Sequence, residues 1–123
     1  MDDIVVVDDD ALTRGLISEW LTEAGYRVRQ AEHGEAALAI LRTEPARLLI
    51  TDMQMPRLNG AETLAAVRRE LPMLPVIAIS AGFGSRSGVS PATALALGAS
   101  RVLAKPIAYR DLLKIVQELL RPA

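Results

Sequence analysis

Ile4-Val5-Val6-Val7-Asp8-Asp9-Asp10 is the stretch on which the reading of this chain turns. Its four apolar residues are all β-branched, and no polar residue alternates among them. Such a run reads as a short strand buried on both faces, the kind found in parallel sheets covered by helices. It stops abruptly in three carboxylates. Residues 11–24 then place Leu12, Leu16, Ile17, Trp20 and Leu21 at helical spacing, with Gly25 as a stop. Strand, acidic turn and helix together make one β/α unit.

Working outward, the same unit recurs four more times. Residues 26–30 alternate and read as a weaker strand at the edge of the sheet; 34–43 are helical until Pro45 breaks them. Residues 48–51 form a third strand that ends at Asp52. Met55-Pro56-Arg57-Leu58-Asn59-Gly60 reads as a loop with an Asn-Gly turn, followed by a helix over about 61–71. A fourth strand over 75–79 stops at Ser80. A Gly/Ser loop at 82–88 leads to a helix over 91–97 closed by Gly98. The fifth strand, 101–104, ends at Lys105-Pro106. A last helix, 109–120, carries a stripe of Leu112, Leu113, Val116 and Leu120. Five such units predict one α/β domain over 1–123, with a parallel sheet, helices on both faces and right-handed crossovers.

Composition agrees. At 123 residues the chain is of single-domain size and long enough to bury a core without staples. Half of it is hydrophobic, yet only Trp20, Tyr26, Phe83 and Tyr109 are aromatic. There is no cysteine, which excludes disulfides and thiolate metal sites. With 14 basic and 15 acidic side chains the net charge is −1, and the longest basic run is Arg68-Arg69, so no nucleic-acid footprint is present. No apolar run approaches the roughly 20 residues that span a bilayer. Met1-Asp2-Asp3 lacks the positive start of a secretory signal. A cytoplasmic protein with no membrane or direct nucleic-acid partner is the expectation.

In open parallel sheets ligands bind beyond the carboxyl ends of the strands, near a switch in strand order. That rule selects Asp8, Asp9 and Asp10 after the first strand, Asp52 after the third, Ser80 after the fourth and Lys105 after the fifth. Several carboxylates at one sheet edge repel one another, and a hard cation among them relieves this. Mg2+ takes one or two carboxylates plus waters and phosphate oxygens. Asp9 and Asp52 can bind it directly, Asp8 through a water, and the backbone carbonyl near Gln54 can complete the protein's share. Lys105 supplies a compact positive charge for a phosphoryl group and Ser80 a hydroxyl donor. Asp52, alone at its strand end, is the best carboxylate nucleophile, and attack by it gives an aspartyl phosphate. Taken singly, an acidic turn, a lone Asp, a Ser and a Lys-Pro are ordinary surface features; their arrival together at four strand ends is what points to a site.

These residues resemble, over nearly the whole chain, the receiver domains of two-component response regulators. The resemblance is carried by Val5-Val6-Val7-Asp8-Asp9, by Leu49-Ile50-Thr51-Asp52-Met53-Gln54-Met55-Pro56 with Asn59-Gly60, by Ile77-Ala78-Ile79-Ser80-Ala81, by Leu97-Gly98-Ala99 and by Lys105-Pro106. It implies a flavodoxin-like, doubly wound sheet in the strand order 2-1-3-4-5. It implies phosphorylation of Asp52 by a histidine kinase or histidine phosphotransfer protein, in a phosphoacceptor that is not itself an enzyme. Metal binding through Asp9, Asp52 and the Gln54 carbonyl, supported by Asp8, and a cis Lys105-Pro106 bond are also implied.

Two departures from the family stand out. Val102 occupies the position three before the lysine where Tyr or Phe is usual, and the connection from Ser80 to Gly98 is about three residues longer than usual, the excess falling in 82–88. With no ring at 102 to turn inward, the expectation is that loop 82–88, through Phe83, reports phosphorylation instead. The chief enzyme alternative is a haloacid-dehalogenase-like phosphatase, whose Asp-x-Asp opening resembles Asp8-Asp9-Asp10; Leu12 and the want of a later acidic pair speak against it. A receiver-like module that is never phosphorylated is disfavoured because every acid and the lysine are present. The short tail after the last helix favours a complete single-domain regulator.

Overall fold

The computed structural model describes residues 3–53, 60–80 and 91–120. Its elements run β1 (Asp3–Val7), α1 (Ala11–Glu23), β2 (Arg27–Ala31), α2 (Gly34–Thr43), β3 (Leu48–Asp52), α3 (Gly60–Glu70), β4 (Val76–Ser80), α4 (Pro91–Ala96), β5 (Arg101–Ala104) and α5 (Tyr109–Leu120). The five strands form one parallel sheet in the order β2-β1-β3-β4-β5. Boundaries differ from the sequence reading by one residue at most. Asp52 and Ser80 are themselves the last residues of β3 and β4, because each is still paired in the ladder, Asp52 with Ile79 and Ser80 with Ala104.

Alternation along the strands splits the core in two. Val5, Val7, Leu49, Val76 and Ala78 pack with Leu38, Leu41, Leu64, Val67 and Ala94 of α2, α3 and α4. Ile4, Val6, Leu48, Ile50, Ile77 and Ile79 pack with Ile17, Leu21, Leu112, Val116 and Leu120 of α1 and α5. Both faces of β1, β3 and β4 are therefore buried, which is why these strands are continuously apolar. β2 is an edge strand and is more polar. Its Arg29 donates to the buried Asp3 at 3.0 Å and to the carbonyls of Glu44 and Pro45, tying the edge down and keeping charge along it.

Local signals set the helix ends. Asp10 caps α1, accepting from the Leu12 amide and the Thr13 hydroxyl. His33 caps α2 through Nδ1, which accepts from the Ala36 amide. Gly25 follows α1 and Gly98 follows α4, both with positive φ, 100° and 113°. Gly98 carries a second constraint. A Cβ there would sit 2.7 Å from the Arg68 side chain, and Arg68 is pinned by hydrogen bonds to the carbonyls of Pro72 and Leu74. Gly98→Ala is therefore expected to cost on the order of 2 kcal/mol in urea unfolding. Gly25→Ala, with no atom of the described residues within 4 Å of its Cβ, has only the backbone cost and should lose less. Equal losses at the two positions would remove Arg68 from the explanation.

Candidate functional site

Register and alternation together build the site. Val7 pairs with Thr51, so Asp8 and Asp52 leave their strands side by side. Both continue the even-numbered alternation of Ile4, Val6, Leu48 and Ile50, the set that packs with α1 and α5. Lys105 continues the alternation of Leu103 on that same face. Its amide donates to the Ser80 carbonyl at 2.9 Å, holding the end of β5 against β4. The Lys105-Pro106 bond is cis.

The result is a tight group of charges. One carboxylate oxygen from each of Asp8, Asp9 and Asp52 lies within 4.8 Å of the others. Lys105 Nζ donates to Asp52 Oδ2 at 3.1 Å and stands 3.6 Å from Asp8 Oδ2. Asp8 is fully buried and Asp52 2% exposed, whereas Asp9 faces solvent. Asp8 Oδ1 accepts from the Asp10 amide at 2.9 Å.

Burial chiefly pushes the Asp8 carboxyl up, to about 6; the Asp10 amide pulls it down, the Asp52 charge pushes it up and Lys105 pulls it down. Burial also pulls the Lys105 ammonium down, but its hydrogen bond to Asp52 and the charges of Asp52 and Asp8 outweigh that and hold it above the ordinary lysine value.

These residues fit a hard divalent cation. Buried polar atoms in folded proteins nearly always have a hydrogen-bond partner. Among the described residues Asp8 Oδ2 has none, and neither has the hydroxyl of Ser80, also buried. Three oxygens from carboxylates, with no sulfur or imidazole among them, are the donor set that Mg2+ or Ca2+ takes.

The residues selected from the sequence converge in part. Asp8, Asp9, Asp52 and Lys105 come together. Ser80 stands at the end of the neighbouring strand, where it continues the alternation of Val76 and Ala78 on the opposite face. Asp10, the third acid of the run, stays out: it is exposed and committed to capping α1, and its hydrogen bonds from Thr13 and Leu12 lower its carboxyl's pKa. Gln54 and loop 82–88 lie outside the described residues. Val102 is half-buried against the α2–α4 side of the core.

Sequence reasoning missed Arg14. From the first turn of α1 its guanidinium reaches back to the Asp8 carbonyl at 2.7 Å and to Gln30 Oε1 of β2 at 3.2 Å. Its place four residues after Asp10, one helical turn on, was the available signal.

Comparison with known proteins points one way. The family model described as the response regulator receiver domain matches residues 4–117. The transcriptional regulatory protein CpxR of Klebsiella pneumoniae is 36% identical over 121 residues, covering 98% of this chain and 50% of CpxR. This chain therefore spans about half the length of that relative. The solved structure of Vibrio cholerae chemotaxis protein CheY4 is similar with a TM-score of 0.85 and 31% identity, covering 98% of this chain and 99% of that one. The receiver domain of NtrX from Brucella abortus is similar with a TM-score of 0.88 and 30% identity, over 98% and 100% of the two chains. Among the described residues no helix is long and apolar enough to cross a membrane.

Proposed function

The chain belongs to the response regulator receiver domain family of two-component signalling, and from that premise we propose that Asp52 accepts a phosphoryl group from a histidine kinase or histidine phosphotransfer protein. The observation that carries this is the meeting of Lys105 Nζ with Asp52 Oδ2 at 3.1 Å, inside a cluster of two further carboxylates. A carboxylate oxygen of Asp52 attacks phosphorus. The bond from phosphorus to the donor breaks, and its electron pair leaves with the donor. Lys105 follows the charge from carboxylate to phosphoryl oxygen, and the Ser80 hydroxyl, at the end of the strand next to Asp52, reaches over the sheet edge from the opposite face to donate to a second phosphoryl oxygen. Asp8, Asp9 and Asp52 would hold Mg2+, with the Gln54 carbonyl completing the protein's share, and the bound ion would neutralise charge on the transferring group. The phosphorylated domain then changes its affinity for a downstream protein.

The test is incubation of the chain with acetyl phosphate, with Mg2+ or with EDTA, followed by intact mass. One added phosphoryl group, dependent on Mg2+ and labile to hydroxylamine, supports the reading. Steady hydrolysis of a phosphate ester without a stable label would replace it with a phosphatase.

The acids are expected to be unequal in metal binding. Asp9 offers an oxygen to the cluster, while both carboxylate oxygens of Asp10 are already engaged by Leu12 and Thr13. Asp9→Ala should weaken Mg2+ binding at least about tenfold, and Asp10→Ala should mainly lower helix stability, by about 1 kcal/mol. Calorimetric titration showing the reverse order would move the metal site.

A further inference from the structure

Three acids sit in a three-residue loop, and something must hold that loop against their repulsion. The Asp8 carboxylate anchors one end through the Asp10 amide, and Asp10 anchors the other as the helix cap. Neither contact fixes the Asp8 peptide carbonyl, which lies just past the last paired residue of β1, Val7. The Asp8-Asp9 peptide sets where the Asp9 side chain starts.

Arg14 makes the missing contact. Its Nη1 donates to the Asp8 carbonyl at 2.7 Å while its Nε donates to Gln30 Oε1 at 3.2 Å. Gln30 lies opposite Val6 in the β1–β2 ladder, so it is registered to the strand that carries the loop. The guanidinium thus spans from helix α1 across the loop to the neighbouring strand. Its rigid planar fork can serve two acceptors at a fixed separation, which an ammonium on a flexible stem cannot. The helix end of this arm is itself fixed: Arg14's amide donates to the Asp10 carbonyl, and its carbonyl accepts from Ser18 Oγ at 2.7 Å.

We propose that Arg14, oriented by Gln30, is a positioning residue that sets the Asp8-Asp9 peptide for metal binding. This deepens the reading of Asp8, Asp9 and Asp52 as the metal ligands and rests on it. Groups that hold first ligands in place typically change metal affinity by about 10–100-fold when removed. A mere local cation would act in the opposite sense, since its loss beside a cation site tightens metal binding.

The experiment titrates Mg2+ into the full chain by calorimetry, for wild type, Arg14→Gln, Arg14→Lys and Gln30→Ala, with thermal midpoints recorded alongside. Arg14→Gln should bind Mg2+ about tenfold more weakly, and Arg14→Lys, which keeps the charge but loses the fork, should not restore the affinity. Gln30→Ala should move affinity in the same direction by less, and it keeps the proposal testable if the Arg14 variants fold poorly. Unchanged Mg2+ affinity with a lowered midpoint, tighter binding in Arg14→Gln, or full affinity in Arg14→Lys would each overturn the positioning role. Wild type that binds no Mg2+ would overturn the metal reading itself, and this inference with it.

Discussion

Asp52→Asn is expected to leave a folded domain that takes no label from acetyl phosphate or from a phosphorylated histidine donor. The substitution is nearly isosteric in a site that is 2% exposed, so packing is preserved. Its amide oxygen can still accept from Lys105 Nζ, which stands 3.1 Å from Asp52 Oδ2. Only the nucleophile is lost, since an amide oxygen does not displace the donor as a carboxylate does. Lys105→Ala should behave differently. It leaves the nucleophile in place but removes the point charge that follows the phosphoryl oxygens. Labelling should slow by about 10²–10³-fold rather than vanish. Time courses by intact mass separate the two outcomes. Equal labelling of Asp52→Asn and wild type would assign the phosphoryl group to another residue.

Asp8→Asn is expected to stabilise the metal-free domain at neutral pH and to weaken its hold on Mg2+. Asp8 is fully buried, and its carboxyl is raised from an ordinary 3.8 to about 6, chiefly by burial. Between those two values the folded state therefore keeps a proton that the unfolded chain has released. Stability from this group is greatest below about pH 4, falls as pH rises through the window from about 4 to 6, and stays low above it. At about 1.4 kcal/mol per pH unit, the penalty at neutral pH is about 3 kcal/mol. Asparagine has no such window, and its side-chain oxygen can still accept from the Asp10 amide that now meets Asp8 Oδ1. Urea unfolding in EDTA from pH 4 to 8 should give curves for wild type and Asp8→Asn that part as pH rises. Saturating Mg2+ should recover the loss in wild type far more than in the variant, because a cation reverses the electrostatics that disfavour the ionised carboxylate. Curves that stay parallel would mean that Asp8 is ionised without cost.

How much of this was legible in the sequence differs residue by residue. The β-branched run of 4–7 ends in acids, and the runs at 48–51 and 75–79 end at Asp52 and Ser80. Continuous apolarity over these short lengths implies burial on both faces, and burial on both faces implies a parallel sheet under helices. Strand order came from resemblance and not from periodicity, since nothing in an alternation says which strand lies beside which. The caps were partly legible. An Asp before a helical run is a frequent cap, but nothing in Asp8-Asp9-Asp10 says that the third acid is spent on the helix and the first is buried. That division depends on where β1 stops against Ala31, whose carbonyl takes the Asp8 amide at 3.2 Å.

By itself, then, the sequence determined the β/α alternation, the positions of the strand ends and the kinds of side chain placed there, because these follow from local periodicity and from the residues that break it. Only the tertiary structure decided which of those side chains share a face. Register pairs Val7 with Thr51, and the period of two then carries Asp8, Asp52 and Lys105 to the α1/α5 side and Ser80 to the other. It also decided that Arg14 and Gln30, 16 positions apart, hold one peptide between them. Charge state follows the same rule. Asp8 and Asp9 are identical neighbours in the chain, yet only Asp8 is fully buried, and its carboxyl is raised by surroundings that only the folded chain supplies.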